Sequence, residues 1–209
     1  MRTRVKICGL TREGDVELAV DCGAWAIGFV LYPKSPRAIS VDEASRLAQL
    51  AKGINPNVET VAVCVDPSME YVEEIYQRGL SMVQLHGSET KEFCQKISQP
   101  FIKVCRPRLA EDVTAMSVFD NASYFLLDAF DKTVYGGTGK EVAAPLVREA
   151  AGLTKPFILA GGLHSKNIVA AVKTFAPFAV DLSSGVEVSP GIKSGDSVRE
   201  LFETVKRNL

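Results

Sequence analysis

Apolar residues in this chain gather into eight short runs, at residues 4–8, 25–31, 58–65, 82–85, 101–105, 124–128, 157–160 and 180–183. Continuous apolar runs of this length, bounded by turn residues, are the mark of strands buried on both faces. Between them lie longer amphipathic runs that predict helices starting near Arg12, Val41, Ser68, Glu89, Ala110, Val142, Ser165 and Ser197. Ser40 followed by Glu43 makes a capping box. Asp66 before Pro67 predicts a cap residue with proline at the first helical position. Gly23, Gly53, Gly79 and Gly152 are expected to end helices. Strand–helix alternation implies a parallel sheet, because parallel strands need crossovers. Eight units in 209 residues average about 26 each, compact but workable for a (β/α)₈ TIM barrel. An open doubly wound sheet has five or six strands and often a GxGxxG turn after the first. Here the first strand runs into Cys8-Gly-Leu-Thr11. The expected fold is therefore α/β, a single-domain barrel over residues 1–209.

Strand alternation assigns faces. In the first strand Val5 and Ile7 should meet the helices, so Lys6 and Cys8 face the barrel interior. In the sixth, Leu126 and Asp128 face in; in the eighth, Asp181 and Ser183 do. An unpaired ammonium inside a barrel is costly. Closure sets the eighth strand beside the first, which makes Asp181 the expected partner of Lys6.

Barrel enzymes gather their sites at the C-terminal strand ends. Here those positions hold Cys8, the loop Tyr32-Pro-Lys-Ser-Pro-Arg37, Asp66, His86, Arg106, Asp128, Gly161-Gly162 and Ser183-Ser184-Gly185. Loops after strands seven and eight often bind phosphate. Paired glycines let backbone N–H groups approach an anion, and a following helix N-terminus adds a favourable dipole. Gly161, Gly162, Ser184 and Gly185 are accordingly expected to cradle a phosphate. The segment Tyr135-Gly-Gly-Thr-Gly-Lys140 has too few residues between its glycines for a Walker motif. A lid over a bound phosphate ester fits it better.

Composition removes several alternatives. The net charge is −1, with no long basic run, which argues against nucleic acid or an anionic membrane as partner. No apolar stretch approaches a membrane span, and Arg2 and Arg4 are followed by too few apolar residues for a signal peptide. Five scattered cysteines without CxxC spacing predict neither a disulfide framework nor a zinc site, but a reducing, cytoplasmic setting. The two histidines, His86 and His164, are far apart, so no metal is expected.

The opening Lys6-Ile-Cys-Gly-Leu-Thr11 resembles that of the phosphoribosylanthranilate isomerases. Further motifs follow in the order seen in that family. They are Gly28-Phe29, Pro33-Lys-Ser-Pro-Arg37, Val83-Gln-Leu-His-Gly87, Leu126-Leu-Asp-Ala129, Gly136-Gly-Thr-Gly-Lys140, Phe157-Ile-Leu-Ala-Gly-Gly162 and Val180-Asp-Leu-Ser-Ser-Gly-Val-Glu187. The resemblance covers nearly the whole chain. It implies an Amadori rearrangement of N-(5-phosphoribosyl)anthranilate to 1-(2-carboxyphenylamino)-1-deoxyribulose 5-phosphate, in tryptophan biosynthesis, with no cofactor and no metal. By the same resemblance Cys8 is the general base and Asp128 the general acid. Arg37 contacts the anthranilate carboxylate, Gly161-Gly162 and Ser184-Gly185 hold the phosphate, and Asp181 stands near the site. The partner is a small-molecule substrate, and the protein is a monomer or a homodimer. One departure is Glu141-Val-Ala-Ala144, where many members continue with Phe-Asp-Trp, so the edge of the lid is expected to differ.

This chemistry needs one acid and one base. Unperturbed, aspartate and cysteine favour Asp⁻ with Cys–SH by about 4.6 pH units, or about 6 kcal/mol. Burial would raise Asp128, and the charge of Lys6 would lower Cys8. Three rivals fit less well. Ribulose-phosphate epimerases call for metal-ligand histidines, indole-glycerol-phosphate synthases for a catalytic lysine and glutamate set, and a non-catalytic phosphate-binding barrel has no need of both Cys8 and Asp128.

Overall fold

The computed structural model describes residues 3–129 and 141–209. Eight strands form one closed parallel barrel in sequence order: β1 Arg4–Cys8, β2 Ala26–Val30, β3 Glu59–Cys64, β4 Met82–Leu85, β5 Phe101–Cys105, β6 Tyr124–Leu127, β7 Phe157–Leu159 and β8 Ala179–Leu182. The crossover helices are α1 Glu13–Asp21, α2 Val41–Ile54, α3 Met69–Gln77, α4 Lys91–Cys94, α5 Ala110–Thr114, α6 Ala144–Ala150 and α7 Ile168–Phe175; α8 Gly195–Asn208 follows β8. The ring closes where Lys6 of β1 registers with Asp181 of β8.

Alternation along the strands sorts the core into two layers. Ala26, Val61, Met82, Ile102, Leu126, Ile158 and Ala179 fill the barrel. Val5, Ile7, Phe125, Leu127, Val180 and Leu182 pack outward with the helices' apolar faces, as the period-two reading requires. The register extends to Lys103, which faces outward with Phe101 and Cys105 yet is buried. Its ammonium donates to Glu89 Oε2 at 2.5 Å and to the Gly87 carbonyl at 3.0 Å. Glu89 in turn accepts from the backbone N–H groups of Asp66 and Gly87, each at 3.0 Å. This buried pair fastens the loops after β3 and β4 beneath the mouth of the barrel.

Three sequence expectations need correction. Asp66 does not cap α3: it sits in the left-handed region at φ 47°, its carboxylate accepts from Ser88 N, and Ser68 caps the helix by accepting from Tyr71 N at 3.2 Å. A left-handed Asp is tolerable because its short polar side chain bonds locally. Gly53 lies inside α2 rather than beyond it, whereas Gly23 and Gly79 do close helices with φ of 97° and 87°. The chain after β8 does not enter a helix directly. It makes one 3₁₀ turn, Ser184–Val186, then an antiparallel hairpin of β9 Glu187–Ser189 and β10 Ile192–Lys193 before α8. The residues Tyr135-Gly-Gly-Thr-Gly-Lys140 expected to form a lid lie outside the described part of the chain.

Candidate active site

The C-terminal ends of the strands surround an open-mouthed pocket of about 750 Å³, counting the space open to solvent at its entrance. Cys8, Arg37, Asp128, Gly161, Gly162, Asp181, Ser184 and Gly185 all line it. The structure thus brings together every site residue expected from the sequence. Asp66 and Arg106, also at strand ends, are not among the lining residues.

Cys8 ends β1 with its side chain turned inward. Space for the sulfur comes from the neighbouring strand. A Cβ on Gly28 would stand 2.8 Å from Cys8 Sγ, so only glycine fits there. One residue earlier, Lys6 is fully buried and donates to Asp181 Oδ1 at 2.8 Å, the pairing that closure predicted. Burial alone would push Lys6 down, but the Asp181 carboxylate outweighs it and holds the ammonium above its ordinary value. For the thiol the balance runs the other way. Burial pushes Cys8 up, and the opposing charges of Lys6 and Lys193 do not overcome it. Lys6 does favour the thiolate, as expected from the sequence, but burial is the larger effect and Asp181 adds to it, so the thiol ends above its ordinary value rather than below it.

Asp128 follows β6 and keeps the strand register by donating its N–H to the Cys105 carbonyl at 3.0 Å. One carboxylate oxygen accepts from Ala129 N at 2.9 Å. The other lies 3.4 Å from Nε2 of His86, in electrostatic reach but without hydrogen-bond geometry. Gln84, two residues before His86 and on the same inner face, approaches His86 Nδ1 at 3.4 Å. Among the described residues Gln84 Oε1 and His86 Nε2 are buried without a hydrogen-bond partner.

Arg37 is held from behind. Its Nε donates to Glu187 Oε1 at 2.9 Å and its Nη2 to Glu187 Oε2 at 2.7 Å, a bidentate pair. These hydrogen bonds, against the effect of burial, keep the guanidinium protonated more firmly than usual. Its stem crosses Gly9, where a Cβ would meet Arg37 Cδ at 2.6 Å and where φ is 77°. Glu187 also accepts from Lys193 Nζ at 2.8 Å. Burial opposes ionisation of Glu187, but the two cations prevail and its carboxyl titrates below the ordinary range.

Gly161 and Gly162, which also line the pocket, take φ values of 85° and 62°, conformations that suit glycine. Gly185 is glycine for a different reason: a Cβ there would lie 2.0 Å from the Leu163 carbonyl oxygen. The loops after β7 and β8 can meet only because that side chain is missing. The dipole expected of a helix directly behind Ser184 is not available, since a single 3₁₀ turn stands in its place.

Three residues of the site escaped the sequence reading, while His86, expected at a strand end, does line the pocket. Gln84 carried a signal, since it continues the inner-face alternation of β4 from Met82 toward His86. Glu187 closed a motif but had no assigned part. Lys193 carried none, because its position depends on the hairpin. The pocket therefore combines an acid, a thiol, a fixed guanidinium and a glycine-rich anion rim, a set suited to proton transfers on a substrate with two separated anionic groups. Among the described residues no three His, Cys, Asp or Glu side chains gather as metal ligands, and no helix is long and apolar enough to cross a membrane.

Comparison with known proteins agrees with this geometry. A sequence profile described as N-(5'phosphoribosyl)anthranilate (PRA) isomerase matches residues 5–204. An N-(5'-phosphoribosyl)anthranilate isomerase from Chromohalobacter salexigens is 46% identical over 205 residues, spanning 98% of this chain and 94% of the relative. The crystal structure of the phosphoribosyl anthranilate isomerase from Thermotoga maritima superimposes with a TM-score of 0.88 at 34% identity, covering 98% of this chain and 99% of that one. A further solved isomerase, in complex with reduced 1-(o-carboxyphenylamino)-1-deoxyribulose 5-phosphate, gives a TM-score of 0.82 at 35% identity, again covering 98% and 99%.

Proposed function

The chain belongs to the N-(5'-phosphoribosyl)anthranilate isomerase family and is an isomerase of tryptophan biosynthesis, and from that premise we propose which of its residues carry the reaction. The observation that bears most weight is the convergence of Cys8 and Asp128 on one pocket, from opposite sides of the barrel, between an arginine and a glycine-rich rim. N-(5-phosphoribosyl)anthranilate has a phosphate at one end and a benzoate carboxylate at the other. Gly161, Gly162, Ser184 and Gly185 take the phosphate. Arg37 takes the carboxylate as a charge-assisted contact.

Asp128, in its acid form, protonates the ring oxygen of the ribose, and the C1–O bond breaks as the anilino nitrogen donates its lone pair. The product is a protonated Schiff base, whose positive charge acidifies the proton on C2. Cys8 as thiolate removes that proton, giving an enolamine. Tautomerisation yields the ketone, 1-(2-carboxyphenylamino)-1-deoxyribulose 5-phosphate. One proton has entered from Asp128 and one has left to Cys8, so the pair resets when a proton passes from the thiol to the carboxylate through water. The raised thiol pKa makes the starting state costly. The cation that forms on ring opening lies where it favours a thiolate, which offsets part of that cost.

Asp181 serves this site through Lys6, by holding the charge behind Cys8. Residues 1–209 act as one catalytic unit, as a monomer or homodimer, with a small-molecule substrate and neither nucleic acid nor membrane as partner. Five unpaired thiols support a reducing, cytoplasmic location. No cofactor and no metal take part.

The test is loss of phosphoribosylanthranilate, generated in situ, with and without EDTA and with added inorganic phosphate. Turnover should be unchanged by EDTA and competitively inhibited by phosphate. Activity that returns only on adding Mg²⁺ or Zn²⁺, or phosphate inhibition that is not competitive, overturns the scheme.

A further inference from the structure

The scheme above gives no part to a second buried cation near the thiol, Lys193. Lys193 stands on β10, ten residues past the end of the eighth strand's turn residue Ser183, and its side chain is wholly buried. Its ammonium has three donors and finds three acceptors: the Cys8 carbonyl at 2.6 Å, Glu187 Oε1 at 2.8 Å and the Ser183 carbonyl at 3.3 Å. Its own N–H donates to Asp15 Oδ2 at 3.0 Å. Taking a lysine out of water is expensive, and a loop this close to the surface could have satisfied two strand-end carbonyls with solvent. The cation is instead aimed at the main chain of Cys8. Glu187 then links it to Arg37, so one carboxylate carries the cation under the thiol and the guanidinium that faces the substrate.

We propose that Lys193 is the positioning residue of the base, clamping the Cys8 main chain and holding a positive charge beside its thiol, and that Glu187 couples this clamp to Arg37. The inference rests on Cys8 acting as base. Burial draws Lys193 below its ordinary value, and Arg37 repels it, but its contact with Glu187 and its charge toward Cys8 act in its favour. The charged and titratable groups that face Cys8 are Lys6 on its own strand, Asp181 on β8, Lys193 on β10 and Arg37 with Glu187 behind it; Asp128 and His86 stand across the pocket.

The experiment is alkylation of Cys8 by iodoacetamide, read by peptide mass mapping from neutral to alkaline pH, beside steady-state kinetics. Lys193→Met removes a nearby cation, so the midpoint of Cys8 alkylation should move to higher pH. Its kcat should fall roughly 10²-fold with little change in KM, as expected when a catalytic group shifts by about 1 Å. Lys193→Arg keeps the charge and should leave the midpoint near that of the unaltered protein. Glu187→Gln leaves Lys193 and Arg37 uncompensated, so its midpoint should move to lower pH, and its kinetic cost should fall mainly on KM through Arg37. Opposite displacements in the two variants cannot come from simple loosening of the hairpin. Midpoints that stay put, or move in the same direction, overturn the proposal. Should Lys193→Met fail to fold, Glu187→Gln decides: a midpoint unmoved or raised overturns it. Cys8→Ala keeps the two failures apart. Full turnover there refutes Cys8 as base, whereas an inactive Cys8→Ala with unmoved midpoints refutes the role of Lys193 alone.

Discussion

The two walls of the pocket are built on opposite terms. On the side of β1, β8 and the β9–β10 hairpin, Lys6, Asp181, Arg37, Glu187 and Lys193 pair with one another at 2.7–2.9 Å. On the side of β4 and β6, Gln84, His86 and Asp128 approach one another only at 3.4 Å, and two of their polar atoms have no hydrogen-bond partner among the described residues. Buried polar atoms are ordinarily satisfied. The charged groups of the first wall are paired with one another; the polar groups of the second leave hydrogen-bonding capacity facing the pocket. Preorganisation around the thiol and the arginine fits their proposed roles, in which both must meet fixed atoms. The proposed role of Asp128, reaching a ring oxygen, gains from neighbours not already committed.

The largest effects should come from the proposed base and acid, Cys8 and Asp128, one on each wall. Cys8→Ala and Asp128→Asn should each lower kcat by about 10²–10⁴-fold, the usual loss for a general base or acid. The double variant should be little worse than the poorer single one, because the groups act as a unit. Near-full turnover in Cys8→Ala would reduce that residue to core packing. Next comes the first wall's ion pair. Asp181→Asn leaves Lys6 buried without its counter-charge and should cost roughly 3–5 kcal/mol in urea denaturation. A loss below that range would mean that Lys6 finds water or another acceptor. Arg37→Ala should raise KM more than it lowers kcat, by about 10–100-fold, matching the 1.5–3 kcal/mol of a hydrogen bond to a charged group. An unchanged KM removes the carboxylate assignment. Smallest and opposite in sign is Gln84→Met on the second wall. It deletes the acceptor Gln84 Oε1 together with the long Nε2 contact to His86 Nδ1, and the relief of the first should exceed the loss of the second, stabilising the substrate-free protein by up to about 1 kcal/mol in thermal or urea unfolding. Destabilisation there would show that Gln84 is already satisfied and would erase the contrast between the walls.

Much of this arrangement could be read from residue order, for reasons of period and closure. Alternation alone places Lys6, Cys8, Leu126, Asp128 and Asp181 on the inner face, and ring closure makes Asp181 the partner of Lys6. What could not be read depends on distances between loops. Arg37 was visible, but nothing in its neighbourhood says that two of its nitrogens face Glu187, since 150 residues separate the pair. Lys193 was invisible because its position rests on a hairpin with no apolar alternation to announce it. Asp66 was misread because its reach to Ser88 N, a contact between loops, outcompetes the local capping signal. The thiol shifts up and not down as expected, for a quantitative reason: burial and Lys6 oppose each other, burial is the larger, and sequence order does not say so.

The seam between β1 and β8 has a consequence in time. Lys6 and Asp181 are 175 positions apart, and the carbonyl of Cys8 meets Lys193 across 185. During synthesis the first strand leaves the ribosome with an unmatched lysine, and its partner emerges only after six more strands have been made. Contacts of such long range are also the slowest to form in a refolding chain. The residue made among the earliest is thus among the last to acquire its working surroundings. A nascent or partly folded chain carries the thiol exposed and without the burial that raises it in the folded barrel, so the pocket exists only once the ring has closed.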